Sequence, residues 1–270
     1  MPDRIKPGPD PAFPVLDEYQ RFTFPLERDK HSSIVAMGGN LSPGMLLSAY
    51  EQGVFPWYNP EDPILWHSPD PRFVLFKENL HTSKSMKRVL KKNTFEIKFD
   101  TNFVQVITGC AEAERPNQDG TWITRDVIDG YSELHRLGWA HSAESYVDGE
   151  LAGGCYGIRL GSAFFGESMF SRVSNASKAA FLTMASILFN DGVEFIDSQV
   201  HTDYLESLGA LEIPRADYME HLKNALLYRW SLADKGNLPV FYQKADKADR
   251  RGNWAVIYAE ALSRIQNPET

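Results

Sequence analysis

The chain has 270 residues, 43% of them hydrophobic, 24% charged and 12% aromatic, with a formal net charge of −8. That length can bury a sizeable core and hold one or two domains, and no window approaches the roughly 20 consecutive apolar residues that span a bilayer, so no membrane partner is expected. Two cysteines, Cys110 and Cys155, 45 positions apart, match neither a disulfide framework nor a zinc-ligand spacing. The opening MPDRIKPGPDPAFP lacks the layout of a secretory signal, and with two thiols this predicts a cytoplasmic protein. Seven histidines form no HExxH-type pair, so no metal site is expected. Neither G-x-x-x-x-G-K-[ST] nor G-x-S-x-G is present, which argues against a phosphate-cradling loop and against a hydrolase nucleophile elbow.

Residues 41–53 read as a helix with both ends marked: Ser42 as cap, Pro43 in the first turn, Leu46, Leu47 and Tyr50 on an apolar face, and Gly53 as the stop. Five prolines and two tryptophans then fall between Val54 and Arg72. Proline fixes φ and removes a donor, so this segment is a rigid loop with edge strands, and a domain boundary is expected near its end. Residues 77–98 follow as a basic island of net charge +5, leaving −13 on the rest of the chain. Within it SKSMKRVLKK predicts a short helix capped by Thr82 or Ser83. Its Lys84, Lys87, Arg88, Lys91 and Lys92 form one stripe, and Met86, Val89 and Leu90 form the opposite side. A solvated face is the ordinary reading of such a run. Five like charges without interleaved acids nevertheless gain most by facing phosphates.

A strand and a helix entrance at Asp100 are expected across 95–107. An amphipathic helix over 124–137 should end at Gly138, and a hairpin across HSAESYVDGELAGGCYGIRL should turn at Asp148-Gly149. A third strand over 162–170 carries Glu167. A helix capped by Asn175 or Ser177 runs to Asp191, a strand over 193–199 carries Asp197 and Gln199, and a short helix ends at Gly209. Hairpin, strand, helix and strand predict an α+β fold. Ionised groups are rarely buried unpaired, so Glu167 and Asp197 in apolar strands suggest a polar site cut into the sheet. An arginine or lysine partner acting as structural cement is the alternative for each. Strand alternation would put Asp197 and Gln199 on one face as a hydrogen-bonded unit. Beyond residue 244, Trp254, Ile257, Tyr258, Ala261, Leu262 and Ile265 follow helical spacing and predict an amphipathic docking helix.

The strings GGNLSPGMLLSAYEQGVFPWY, PILWHSPDPR, LHTSKSMKR, TWI, LHRLGWAHSAES, FFGESMFSRVSNASK, FIDSQV and SLGALEIPR resemble the leucyl/phenylalanyl-tRNA–protein transferases in order and spacing. The resemblance implies a small N-terminal domain (1–71) before an acetyltransferase-like (GNAT-like) domain (72–243), with 244–270 as an extension. It implies transfer of leucine or phenylalanine from aminoacyl-tRNA to proteins that begin with Lys or Arg, as a step toward N-degron degradation, with no cofactor and no metal. Glu167, Asp197 and Gln199 match the family's catalytic positions. Asp197 and Gln199 would polarise the acceptor amine and Glu167 would orient the aminoacyl end or the amine, roles that sequence leaves exchangeable. Trp57 and Trp122 match aromatics that hold the terminal adenosine of the tRNA, and base stacking on an indole contributes about 1–3 kcal/mol. The basic helix matches the segment that tracks the acceptor stem.

Departures from the family concern the side-chain pocket. His67 stands where a second tryptophan is usual, Cys155 where methionine is common, and Met184 and Leu188 where phenylalanine is frequent, while Met169 and Ile196 are retained. An apolar pocket separates side chains differing by a methylene by only about 1–3 kcal/mol, so Leu, Phe and Met all stay open as the transferred residue. Two other functions compete. An acyl-CoA-dependent acyltransferase needs a glycine-containing pyrophosphate loop, where this chain has RVSNAS. A non-catalytic RNA-binding module would use the basic helix but leave Glu167 and Asp197 without a role. A monomer is the expected state.

Overall fold

The computed structural model describes residues 6–26, 32–113 and 121–233. The helix expected beyond residue 244 lies outside the described residues. Strand β1 (Ile34–Met37), helix α1 (Pro43–Glu51), β2 (Phe55–Pro56) and β3 (Leu65–His67) form an N-terminal unit around a small antiparallel sheet of order β1-β3-β2. The larger sheet takes β4 (Arg72–Phe76), β5 (Glu96–Phe99), β6 (Ala140–Val147), β7 (Glu150–Leu160), β8 (Ala163–Ser171), β9 (Phe195–Asp197) and β10 (Leu211–Ile213). Its order is β10-β4-β9-β8-β7-β6-β5, and β8–β9 is its one parallel pair. Helices α2 (Lys84–Lys91), α3 (Phe103–Glu112), α4 (Arg125–Leu137), α5 (Ala176–Asn190), α6 (Asp203–Ser207) and α7 (Arg215–Ala233) complete an α+β architecture.

Local chemistry sets most of these boundaries. Asp148 and Gly149 both take positive φ, 52° and 81°, as a two-residue hairpin between β6 and β7 requires. Thr124 accepts the Val127 amide at the start of α4, and Gly138 closes that helix in the left-handed conformation. Ser83 caps α2 through the Met86 amide. Ser42 sits at the N-cap of α1 but does not cap it: its hydroxyl accepts the Leu16 amide at 3.1 Å and ties in the N-terminal segment.

Each face of the large sheet carries its own apolar core. One runs from Leu46, Leu47 and Tyr50 through Val106 and Leu134 to Phe165 and Phe195, so the N-terminal unit shares it with α3 and α4. The other joins Met86, Phe181 and Leu188 to Phe164 and Ile196 under α2 and α5.

Strand β8 is irregular where it matters. Tyr156 pairs with Ser168 and Gly157 with Gly166, which leaves Glu167 as the unpaired extra residue of a bulge. Side-chain parity confirms it: Phe164 and Met169, five positions apart, face the same core, as do Phe165 and Phe170 facing the other. A regular strand cannot do that. Gly157 makes the bulge possible, because a Cβ there would lie 2.2 Å from the Phe165 carbonyl oxygen. Strand β9 is shorter than expected. It ends at Asp197, and Gln199 adopts φ +59°, so the alternation expected to put Asp197 and Gln199 on one face does not run that far.

Candidate active site

The bulge delivers Glu167 to the edge of a cavity of about 410 Å³. Three neutral donors meet its carboxylate: the Tyr50 hydroxyl at 2.7 Å, the Tyr131 hydroxyl at 3.1 Å and the Gln199 side-chain amide at 3.1 Å. The two tyrosine hydroxyls also touch each other. No ion pair reaches Glu167 among the described residues. Burial is the main cause that pushes its carboxyl up from 4.5 to about 7, and the tyrosine hydrogen bonds partly oppose it. Burial also holds both phenols well above their ordinary range, so they remain protonated donors.

Asp197, on the neighbouring parallel strand, has the opposite environment. It is fully buried and does not line the cavity. Arg72 grips it with two hydrogen bonds, Nε to Oδ1 at 2.9 Å and Nη2 to Oδ2 at 2.7 Å, and the Tyr218 hydroxyl donates to Oδ2 at 2.7 Å. Burial opposes the Arg72 charge, yet the field and hydrogen bonds of Asp197 more than offset it and raise the guanidinium pKa above its ordinary value. Arg72 also donates to the Gly53 carbonyl at 3.1 Å and sits over the Phe55 and Tyr218 rings, so this one side chain links the N-terminal unit to β9.

Gln199 joins the two carboxylates, though not as alternation predicts. Its backbone N–H donates to Asp197 Oδ1 at 2.9 Å, which holds the left-handed turn, while its side chain reaches Glu167 instead. The amide and Asp197 therefore form no side-chain pair. The arginine partner raised as the alternative reading of Asp197 is present in Arg72, whereas among the described residues no arginine or lysine forms an ion pair with Glu167, which feels Arg72 only as a more distant charge.

The structure brings many of the expected residues to this cavity. Trp57, 41% exposed, and Trp122 both line it. His67 braces Trp57: its Nε2–H donates to the Trp57 carbonyl at 2.9 Å, Nδ1 meets the Ser33 hydroxyl at 2.9 Å, and burial lowers its pKa. Cys155, Met169 and Met184 also line it and form an apolar wall with Phe181 of α5. Leu188 and Ile196 do not reach it; both are fully buried in the core behind that wall.

Helix α2 stands apart from the cavity. Met86 anchors it against α5, and Lys84, Lys87, Arg88, Lys91 and Lys92 are all exposed. Among the described residues, His201, Asp203 and Glu206 are the group close enough to share a metal ion; all three are exposed and none lines the cavity.

Sequence reasoning missed Tyr50, Tyr131 and Arg72 as parts of this site. Tyr50 reads in sequence as an apolar-face residue of its helix, and Tyr131 falls within the amphipathic helix over 124–137. The available signal was the phenol itself, since a buried tyrosine hydroxyl needs a partner.

Comparison with known proteins places the chain clearly. The family model described as leucyl/phenylalanyl-tRNA protein transferase matches residues 74–223, and the model of that family's N-terminal domain matches residues 39–70. A leucyl/phenylalanyl-tRNA–protein transferase of Myxococcus xanthus is 46% identical over 216 residues, covering 80% of this chain and 92% of that protein. Proteins of the same name from Nitrosospira multiformis and Escherichia coli are 52% and 50% identical, each over 73% of this chain and over 84% and 83% of their own lengths. Among solved structures, a conserved protein of unknown function from Bacteroides thetaiotaomicron aligns with a TM-score of 0.38 and 11% identity, over 51% of this chain and 53% of that one.

Proposed function

The chain belongs to the leucyl/phenylalanyl-tRNA–protein transferase family, and we propose that it moves a leucyl or phenylalanyl group from tRNA to an acceptor protein with Glu167 as the base. The acyl group of an aminoacyl-tRNA is already an activated ester, so the step calls for no covalent nucleophile, cofactor or metal. It needs the acceptor's α-amine held at the ester carbonyl and relieved of one proton. The amine nitrogen bonds to the carbonyl carbon, the bond from that carbon to the terminal ribose oxygen breaks, and the proton passes through Glu167 to the ribose hydroxyl. An α-amine titrates near 8, and a carboxylate pushed up to about 7 is well matched to receive its proton at neutral pH.

One observation carries this reading: Glu167 is a cavity-lining carboxylate with no ion-pair partner among the described residues, and Trp57 and Trp122 line the same cavity. Trp57 and Trp122 stack the terminal adenosine, and Cys155, Met169 and Met184 seat the aminoacyl side chain. Gln199 aims its amide at Glu167, and Asp197 holds the turn that positions Gln199. Lys84, Lys87, Arg88, Lys91 and Lys92 track the acceptor-stem phosphates. The acceptors begin with Lys or Arg, whose cationic side chain suits a chain that is −13 outside the basic island, and the product enters N-degron degradation. The described residues up to 71 belong to the small N-terminal domain and those from 72 onward to a GNAT-like domain; the α5 crossover between parallel β8 and β9 is compatible with that fold.

The test mixes the purified protein with labelled Leu-, Phe- or Met-tRNA and peptides starting with Arg, Lys, Asp or Ala. Label entering only the Arg and Lys peptides is the expected outcome. Transfer to the Asp peptide keeps the chemistry and overturns the acceptor assignment. Failure of every pairing would leave an RNA-binding role.

A further inference from the structure

The segment that follows β9 has two sides. Val200, Thr202, Tyr204 and Leu205 line the cavity, while His201, Asp203 and Glu206 stay outside it and are exposed. One donor atom from each of these three lies within 4.8 Å of the others. His201 Nε2 is 3.3 Å from Glu206 Oε2. Two donors bonded at about 2.1 Å around a tetrahedral metal ion stand about 3.4 Å apart, so this pair already has a ligand-like separation.

Local structure holds the three groups together. Thr202 caps α6 through the Leu205 amide at 3.3 Å, and its carbonyl accepts the Glu206 amide at 3.0 Å, so Asp203 and Glu206 sit three positions apart on one helix face. The His201 ring packs against the buried Phe73 ring, with 5.0 Å between centres. Two carboxylates side by side repel, and no arginine or lysine among the described residues forms an ion pair with either. Lys178 of α5 lies 5.0 Å from the Tyr204 ring centre rather than at these acids. The two acids exclude an anion. A guanidinium or ammonium group would meet the acids but gain nothing from an imidazole, whereas a divalent metal ion uses all three lone-pair donors. Nitrogen in the set favours ions of the zinc class over calcium and magnesium, which take oxygen ligands.

We propose that His201, Asp203 and Glu206 form a binding site for a divalent ion of the zinc class on the outer side of the cavity wall. Water completes the coordination, as it does at other zinc sites with three protein ligands. Bound there, the ion ties His201 to α6 and stiffens the segment whose other side lines the cavity. It takes no part in the transfer step, so the site stands or falls independently of the proposed function.

The experiment titrates the full chain, stripped of metal, with Zn²⁺ in competition with a chromogenic chelator, and repeats the titration for His201→Ala and Glu206→Gln. Groups that merely support a metal ligand are worth about 10–100-fold in affinity, so loss of a ligand itself should weaken the tightest zinc site at least about tenfold in each variant. Zinc should also raise the melting temperature of the unaltered protein more than that of either variant, and magnesium should not. The three side chains are exposed, so both variants should fold, as circular dichroism checks, and Asp203→Asn serves as a third. Zinc affinity unchanged in the variants, or no stoichiometric zinc binding by the unaltered protein, overturns the proposal. A raised KM for an Arg-initiated peptide in Asp203→Asn, with no zinc bound by the unaltered protein, overturns it too and assigns the acids to a cationic side chain.

Discussion

Glu167 and Asp197 lie on adjacent parallel strands, and Gln199 bonds to both, through its side chain and its backbone respectively. Their surroundings nevertheless differ in kind. Asp197 has a guanidinium, a phenol and a backbone amide, and no opening to the cavity. Among the described residues Glu167 has only neutral donors, and it faces the cavity. A buried carboxylate gripped by a guanidinium is held in place by it, and one with neutral donors alone can change state near neutral pH. On the proposed function one carboxylate holds geometry and the other exchanges a proton, although both look alike in sequence as acids in apolar strands.

The largest effect should come from removing the proton-exchanging member. Glu167→Gln keeps the hydrogen-bonding size and should lower single-turnover transfer by about 10²–10⁴-fold, with tRNA affinity unchanged in a filter-binding assay. Removing the fixed member should act on stability. Asp197→Ala leaves Arg72 buried and unpaired, which should cost about 3–5 kcal/mol in denaturant unfolding, and Arg72→Met added to it should restore part of that loss. If Asp197→Ala unfolds like the unaltered protein but is inactive, the assignment of the two roles is reversed.

Smaller effects sharpen the contrast. The hydrogen bonds from Tyr50 and Tyr131 hold the Glu167 pKa down, so Tyr50→Phe or Tyr131→Phe should move the midpoint of the pH–rate profile to higher pH. Stability should follow the same titration. Because Glu167 binds its proton more tightly folded than unfolded, its contribution is complete below about pH 4.5 and is lost as pH rises through about 7. Glu167→Gln stays neutral throughout, so its melting temperature relative to the unaltered protein should rise between pH 5 and pH 8. The mildest effect belongs far from both acids. Replacing Lys84, Lys87 and Arg88 together should weaken tRNA binding and reduce the slope of log K against log salt by about one per residue, with little change in transfer at saturating tRNA.

Much of this was legible because local rules act alone at those places. The Asp148-Gly149 turn, the Ser83 cap, the Gly138 helix stop and the basic stripe of α2 each depend on a few neighbouring residues. What stayed hidden depends on partners distant in sequence. Arg72 and Asp197 are 125 positions apart, and Tyr50 and Glu167 are 117 apart. The β8 bulge was readable in principle, since Phe164 and Met169 cannot share a face in a regular strand, but only once both faces were known to be buried. Strict alternation misplaced Gln199 because the chain leaves β9 at Asp197 and turns left-handed. Leu188 and Ile196 resemble pocket residues in sequence, yet the wall in front of them is built by Met184 and Met169.

The most direct test follows single-turnover transfer of a leucyl group from pH 5.5 to 8.5 in the unaltered protein and in Glu167→Gln. The unaltered protein should rise with an inflection near pH 7, and the variant should lose both the rate and that inflection. An inflection that persists unchanged in Glu167→Gln, or a variant within twofold of the unaltered rate, would contradict the claim that Glu167 takes the proton.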